Sequence, residues 1–548
     1  MHTRYRFLRL KDDWFCADGP TERVIWADAL CINQQDDKEK SHQVKLMASI
    51  YSRASRVVIW LSADKGDAVD ALPIIATALE DYATSTTEDN PLPFRSVPST
   101  SPPGYPEFGD EKWFSLARFF DKEWFERIWV IQEAALASSA VALLGKLQFD
   151  WDAIGDAALW LYNRKITDVA YRYLRVSSRA VSEIRRSTQR MVKAAEIQYT
   201  RKFRTAFDII RISSTSKCTL PVDRIYGILG LVHDLQIEPD YFRPVAQVFR
   251  SMIRQLIEKR RDLIILGLIK HKPGLSSSCV SSWIPQWPND PFIATLYKPD
   301  ANTAKMYSAS AHESLKIWQH QDEKYLLLQG IPTCKVFACG PIMEGRSSTY
   351  DESLTVFKSI RDFIRFISIY PAFNKGSTLG GYKREDIESI FTQILTAGEY
   401  GPSKTEPFDI QFALQACSFL SLIEKEQIPR VANFEVYAGF MYCNMEEEFA
   451  RDIMPTAFHV CNGRRLFMTN DGHIGIGPRA MEPGDEVVVL FGGITPFIVR
   501  SIWQRRKESE GHGSYRFVGE SYVHGFMKGE AVAAWRNGLY NSVIFKLE

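Results

Sequence analysis

Hydrophobic positions in the first 150 residues form short runs separated by stripes of helical period. Residues 23–30 (RVIWADAL) read as a buried strand, because a short apolar run bounded by polar loops suits a strand covered on both faces. A polar loop follows at 31–37, where Asp36 or Asp37 can cap a helix by accepting backbone N–H groups. In that helix Val44, Met47, Ala48, Tyr51 and Ala54 recur at helical spacing and form one apolar stripe. Residues 56–62 (RVVIWLS) read as a second strand. Strand, helix and strand in this order predict a βαβ unit, with parallel strands and a right-handed connection.

Downstream, the pattern predicts helices over 64–82, 110–120 and 122–137 and a strand over 141–144. Ser, Thr and Pro crowd 84–106, which reads as a surface loop or local disorder. Residues 1–150 therefore read as one α/β domain with a parallel sheet. Residues 151–275 read as a mainly helical region, with helical period over 151–162, 184–208 and 244–258. A mixed α/β region is expected over 276–430, irregular to β over 276–345 with Trp283 and Trp287 in SSWIPQWP. Residues 431–548 read as β-rich, with strands near 465–469, 486–491, 497–500 and 515–519 and turns at Gly472, Gly484 and Gly492-Gly493.

Composition narrows the function classes. The 548 residues are 45% hydrophobic and 24% charged, an ordinary globular balance, and the length suits about three to four domain-sized units. The formal net charge of +1 gives no global pull towards nucleic acid or anionic lipid. One local exception is the stretch carrying Arg185, Arg186, Arg190, Lys193, Arg201, Lys202 and Arg204. It reads first as the solvated face of an amphipathic helix and second as a phosphate- or lipid-facing surface. No aromatic residues interleave these cations in a stacking pattern, so nucleic acid is not an expected partner. No apolar run approaches the ~18 residues of a spanning helix, and no secretory leader opens the chain. Nine scattered cysteines, an odd number, suit a reduced cytoplasmic setting better than a disulfide framework.

Common enzyme signatures are missing: the sequence has no phosphate-binding G-x-x-x-x-G-K-[ST], no Gly-x-Ser-x-Gly and no His-Glu-x-x-His. Cys334 and Cys339 are too far apart for a zinc knuckle, and His459 and Cys461 lack a second pair, so no metal is expected. The informative segment is Trp26-Ala-Asp28-Ala-Leu-Cys31-Ile-Asn33-Gln34. Ligands bind beyond the carboxyl ends of parallel strands, so Asp28, Cys31, Asn33 and Gln34 are candidates to line a crevice there. A plainer reading has Asp28 and Asn33 satisfying backbone groups and Cys31 as a small core residue, and the residues alone favour it slightly.

This run resembles the hallmark of the fungal heterokaryon incompatibility (HET) domain, W-x-D-A-x-C-I-N-Q. The resemblance continues through Gln43-Val44, Met47, Ile50-Tyr51, Ala54 and Val57 to Trp60-Leu61. It resumes at Trp124 with Arg127, Trp129, Gln132 and Glu133, similar to the family's R-x-W-x-x-Q-E block. Asp223-Arg224-Ile225-Tyr226-Gly227, Pro239-Asp240-Tyr241 and Trp283-Ile-Pro285-Gln-Trp287 resemble segments that follow the domain. The resemblance implies an intracellular fungal protein of self/non-self recognition, whose domain promotes programmed cell death or growth arrest through protein partners or self-association. The family's usual opening strand, with a Tyr-x-x-Leu-Ser-Tyr-x-Trp-Gly-like block, has no counterpart before Arg23, and residues 5–13 read at best as the helix after it. The expectation is a truncated, mis-started or divergent domain, and an inactive family member is the corresponding alternative.

A second resemblance concerns chemistry. Trp129 and Glu133 stand four apart and share a helix face. A Trp-x-x-x-Glu helix after a βαβ core resembles the catalytic region of Toll/interleukin-1 receptor (TIR) domains, several of which cleave NAD. It implies NAD as a substrate rather than a bound cofactor. Glu133 would be the catalytic carboxylate that holds the ribose or its developing charge, with Trp129 packed beside it. The plainer alternative makes Trp129 a core residue and Glu133 a surface or capping group.

Overall fold

The computed structural model describes residues 8–10, 23–63, 68–85, 100–164, 166–172, 174, 177–203, 205–274, 281–287, 295–296, 307–343, 360, 362–363, 387–398, 457, 459–502 and 513–548. Much of the mixed region expected over 276–430, and residues 86–99 of the Ser/Thr/Pro-rich stretch, lie outside them. An N-terminal α/β region carries a small sheet with a parallel pair, helices fill the middle, and the C-terminal part is a β-rich sheet.

The parallel pair differs from the expected one. Val57–Ser62 runs parallel to Ala140–Leu144, which pairs antiparallel with Leu147–Asp150. The helices Ala68–Ser85, Lys112–Phe120 and Trp129–Leu136 lie in the crossover between the two parallel strands. Residues 23–30 do not form a buried strand of this sheet. Only Arg23–Ile25 is extended, and it pairs antiparallel with Leu8–Leu10, so the described part of 5–13 is a strand and not a helix. Asp28–Cys31 is a short helix whose first-turn acid, Asp28, accepts from the Ala29 N–H at 2.8 Å. Val24 and Leu30 are exposed, so the apolar run is not covered on both faces as its composition suggested.

Two other segments are re-cut by long-range bonds. The expected helix over 122–137 divides into a 3₁₀ turn, Glu123–Glu126, and the helix Trp129–Leu136. Between them the backbone bonds to Lys217 instead: Ile128 N–H donates to the Lys217 carbonyl at 2.9 Å, and Lys217 N–H donates to Glu126 at 2.6 Å. The helix expected over 184–208 divides into Ser178–Phe203 and Ala206–Thr215, with Thr205 capping the second by accepting from Asp208 N–H. In the Ser/Thr/Pro-rich stretch, Tyr105 is buried, stacks on Trp113 at 6.1 Å and donates to Asp81 at 2.9 Å, so this part is packed.

The Ser178–Phe203 helix corrects the expectation of a solvated basic face. It packs against the helices Trp151–Asn163, Lys112–Phe120 and Trp129–Leu136. Arg190 is buried and bridges Asp121 at 2.5 Å and Glu126 at 2.7 Å. Arg186 adds a second bond to Asp121, Arg201 meets Asp152 at 2.9 Å, and Lys202 meets Asp156 at 2.7 Å. Arg190 meets its acids inside the helical region, where a charge persists only when paired, while Arg186 and Lys202 are exposed and paired at its rim. Arg204 lies outside the described residues.

Among the described residues the C-terminal sheet closes on itself. Leu326–Cys339 pairs with Glu486–Leu490 on one side and Val543–Leu547 on the other. Glu486–Leu490 pairs with Phe497–Ser501, which pairs with Ser514–Glu520, which lies parallel to Val543–Leu547. Val487 and Val489 on one face pack with Ile331, Phe467 and Ile498. Val488 and Leu490 on the opposite face join Leu328, Val499, Phe517 and Phe545 in a core continuous with Leu263, Leu266 and Trp283 of the helical region. Both faces are buried, which accounts for the unbroken EVVVL run. The seam is polar at one point: the buried Glu520 carboxylate accepts from Lys270 and Arg464, each at 2.7 Å, and from Leu296 N–H at 2.9 Å. No helix among the described residues is long and apolar enough to cross a membrane.

Candidate functional site

The helix Asp37–Arg53 starts where the sequence places it. Asp36 caps it, accepting from Lys38 N–H at 3.0 Å and Glu39 N–H at 3.2 Å. The cap fixes the helical phase, so Gln43, Val44 and Met47 turn into the core. One turn beyond Met47, Tyr51 is half-buried and packs edge-on against Trp26, with ring centroids 5.7 Å apart. This helix packs against Trp129–Leu136, on which Trp129 and Glu133 share a face.

Between these elements four polar groups meet electrostatically. Desolvation by the crowded protein pushes the half-buried Glu133 carboxyl up to about 7; Arg127 pulls it down and Asp28 pushes it up further. Burial drives the Tyr51 hydroxyl well above its ordinary range, helped by the negative charges of Glu133 and Asp28 and opposed by Arg127. Tyr51, Asp28, Arg127 and Glu133 thus act on one another, with Trp26 flanking Tyr51. Arg127 is exposed, so the cluster reaches the surface on its cationic side.

The remaining candidates have other partners. Cys31 is buried, and its Sγ accepts weakly from Ala27 N–H at 3.5 Å. Asn33 and Gln34 are exposed; the Asn33 Oδ1 accepts from Gln35 N–H at 3.1 Å, and the Gln34 Nε2 donates to the Asp28 carbonyl at 3.2 Å. These three side chains hold the loop that presents Asp28. Gln132 is buried and accepts from Gly230 N–H at 3.0 Å, so it faces the middle region. Trp129 packs half-buried against the core near Gly227. Among the described residues no group of three or more His, Cys, Asp or Glu is placed to hold a metal ion.

Sequence reasoning assigned Tyr51 to the apolar stripe and gave it no role in a site. Its hydroxyl was the available signal, since a phenol on a buried helix face needs polar company. Two further buried polar atoms in the same blocks, Trp26 Nε1 and Gln43 Oε1, have no hydrogen-bond partner. A carboxyl that is part protonated near neutral pH, a second carboxylate, a guanidinium and a flanking indole, that of Trp26, suit proton transfer or the stabilisation of developing positive charge.

Comparison with known proteins places both ends of the chain. Residues 15–133 match the family model described as Heterokaryon incompatibility protein (HET), and this match ends at Glu133. Residues 438–540 match the Het-6 beta-barrel domain, which agrees with the closed C-terminal sheet. The chain is 25% identical over 581 residues to Heterokaryon incompatibility protein 6, OR allele, of Neurospora crassa, covering 94% of this chain and 82% of that relative. No solved structure matches it.

Proposed function

From the premise that this chain carries a heterokaryon incompatibility (HET) domain and a Het-6 beta-barrel domain, we propose that it acts in fungal self/non-self recognition. In this reading it works in the cytoplasm, and its HET domain promotes growth arrest or programmed cell death through protein partners or self-association. The observation that carries the reading is the span of the likeness. At 25% identity it runs through 94% of the chain, so it extends well beyond the two matched domains. The test is over-expression in a filamentous fungal host, scored by colony growth and by uptake of a vital dye. Arrest or death is expected, and normal growth of hyphae that accumulate folded protein would sink the reading.

A second reading is favoured by one feature, the raised Glu133 carboxyl beside Asp28 and Arg127. It makes the N-terminal domain a TIR-like NAD glycohydrolase. The bond between ribose C1′ and the nicotinamide nitrogen breaks, and its electron pair leaves with neutral nicotinamide. Ionised Glu133 stabilises the oxocarbenium-like ribose, water adds at C1′, and a proton passes to solvent. Because only the carboxylate stabilises that cation, turnover rises as pH passes through about 7. Incubation with NAD, following nicotinamide release, decides it. Release that is lost in Glu133→Gln supports the reading; no release by the assembled wild type refutes it.

A further inference from the structure

The candidate site has a wall that lies outside both family matches. Residues 216–243 cross the back of the two helices that carry Tyr51 and Glu133, touching them along their length. At the start, the Lys217 backbone bridges Glu126 and Ile128 on either side of Arg127, and its ammonium meets Glu126 at 2.9 Å. A turn later, Gly227 approaches Ile128 and Trp129 so closely that a Cβ on it would lie 3.0 Å from the Ile128 side chain and 3.5 Å from the indole. Gly230 is tighter. Its N–H donates to Gln132 at 3.0 Å, and a Cβ there would stand 2.5 Å from the Ala48 Cβ and 2.7 Å from Gln132 Oε1. At the far end Glu238 pairs with Lys45, Tyr241 N–H donates to Ser41 at 3.3 Å, and Lys40 lies over the Tyr241 ring at 4.1 Å.

The segment is itself fixed. The Tyr241 hydroxyl donates to the buried Asp223 at 2.8 Å, and the Tyr226 hydroxyl donates to the Asp240 carbonyl at 2.9 Å and accepts from Asp240 N–H at 3.1 Å. Gly230 therefore sits where Asp37–Arg53 and Trp129–Leu136 meet, in a gap that no side chain can share. Gln132 is bonded there, and the next residue, Glu133, interacts electrostatically with Tyr51 and Asp28.

We infer that residues 216–243 are a positioning strap for the candidate site, that Gly230 and Gln132 form its clamp, and that the working unit extends beyond the matched domain. The inference deepens the proposed function and rests on the reading that Glu133 is a working group. Its physical content is that the distance between Tyr51 and Glu133 is set by how closely the strap lets the two helices approach. A strap that loosens admits water to Glu133 and relaxes the carboxyl towards its ordinary range.

The test uses the full chain in three forms: wild type, Gly230→Ala and Gln132→Met. Gln132→Met keeps the side-chain length and removes the acceptor, so it serves should Gly230→Ala fail to fold. Hydrogen exchange is read peptide by peptide. The expected result is exchange roughly tenfold or more faster over 129–136 in the clamp variants, with 68–85 and 326–339 unchanged. A second reading adds Glu133→Gln to each background and locates the midpoint, set by the folded carboxyl, at which the stability gap between the paired proteins stops growing with pH. That midpoint is expected to fall from about 7 towards 4.5 when the clamp is broken. If 223–231 loosens while 129–136 exchanges as in wild type and the midpoint stays, the strap does not position the site and the inference fails. If both readings shift but the variants still arrest growth and release nicotinamide as wild type does, the strap stands and Glu133 is not the working group.

Discussion

Replacing Glu133 by Gln should stabilise the protein, increasingly so as pH rises from 4.5 to about 7. An acid whose folded pKa is raised from 4.5 to about 7 keeps its proton in the folded chain over a range where the unfolded chain has released it. Stability then falls as pH rises from 4.5 through about 7, because the folded state binds more protons there. At about 1.4 kcal/mol for each pH unit between the two values, the full effect is about 3 kcal/mol. Solvent reaches part of the side chain, which brings the working figure to about 2 kcal/mol. Gln keeps the shape and cannot ionise, so it escapes this loss. Urea unfolding of both proteins at about pH 4 and pH 8, at one ionic strength and monitored within 129–136, should show near-equal stability at the lower pH. At pH 8, Glu133→Gln should lead by about 2 kcal/mol. A difference that is the same at both pH values would refute the argument, since Glu133 would then ionise in the folded chain as it does in the unfolded one.

Three further outcomes test the packing around the site. Asp121→Ala leaves the buried Arg190 with Glu126 alone and should cost about 3 kcal/mol in chemical denaturation. Hydrogen bonds and the charges of Arg186 and Arg190 hold the Asp121 carboxyl below its ordinary range, despite desolvation. Its contribution is therefore present above the ordinary aspartate pKa and lost as pH falls through the lower folded value, so acid melts of the variant should lose part of the wild-type drop. Tyr241→Phe removes the donor to Asp223 and should cost about 1–3 kcal/mol by the same measurement, with faster amide exchange in 223–243. Glu520→Ala strands Lys270 and Arg464 in the seam between barrel and helices; a loss of about 3–5 kcal/mol is expected, read as an early melting transition.

What the sequence makes legible here is what neighbouring residues decide. Asp36 announces its helix because a cap acts within one turn, and the Val44, Met47 stripe follows from the helical period. The turn glycines of the C-terminal region mark most of its strands for the same reason. The long strand that organises that region was legible only as part of an irregular-to-β stretch over 276–345. Leu326–Cys339 contains Gly330 and Pro332, and proline within an apolar run argues against a central strand. The structure accommodates it by a register shift: Val488 faces Pro332 while Val487 faces Cys334, and the intervening Thr333 hydroxyl donates to the Val487 carbonyl at 2.9 Å. The basic helix was misread because its acids, Asp121, Glu126, Asp152 and Asp156, lie 40 or more positions away in the chain.

The same logic explains why a single block, Arg127 to Glu133, looked like one motif and behaves as two. Trp129 and Gln132 are set by Gly227 and Gly230, where a Cβ would collide with Ile128 or Ala48. Glu133, on the face of Trp129, and Arg127, which precedes the helix, join Asp28 and Tyr51 in a shared electrostatic field. Packing demands and chemical demands therefore fall on adjacent residues. Substitutions at 129 and 132 should act through exchange rates and stability, with their effect on any activity following from the loosened helix. Those at 127 and 133 should shift a pH midpoint while leaving the helix protected. A scan of the four positions that found no such division would mean that the block is packing alone, with Glu133 raised simply because it is crowded.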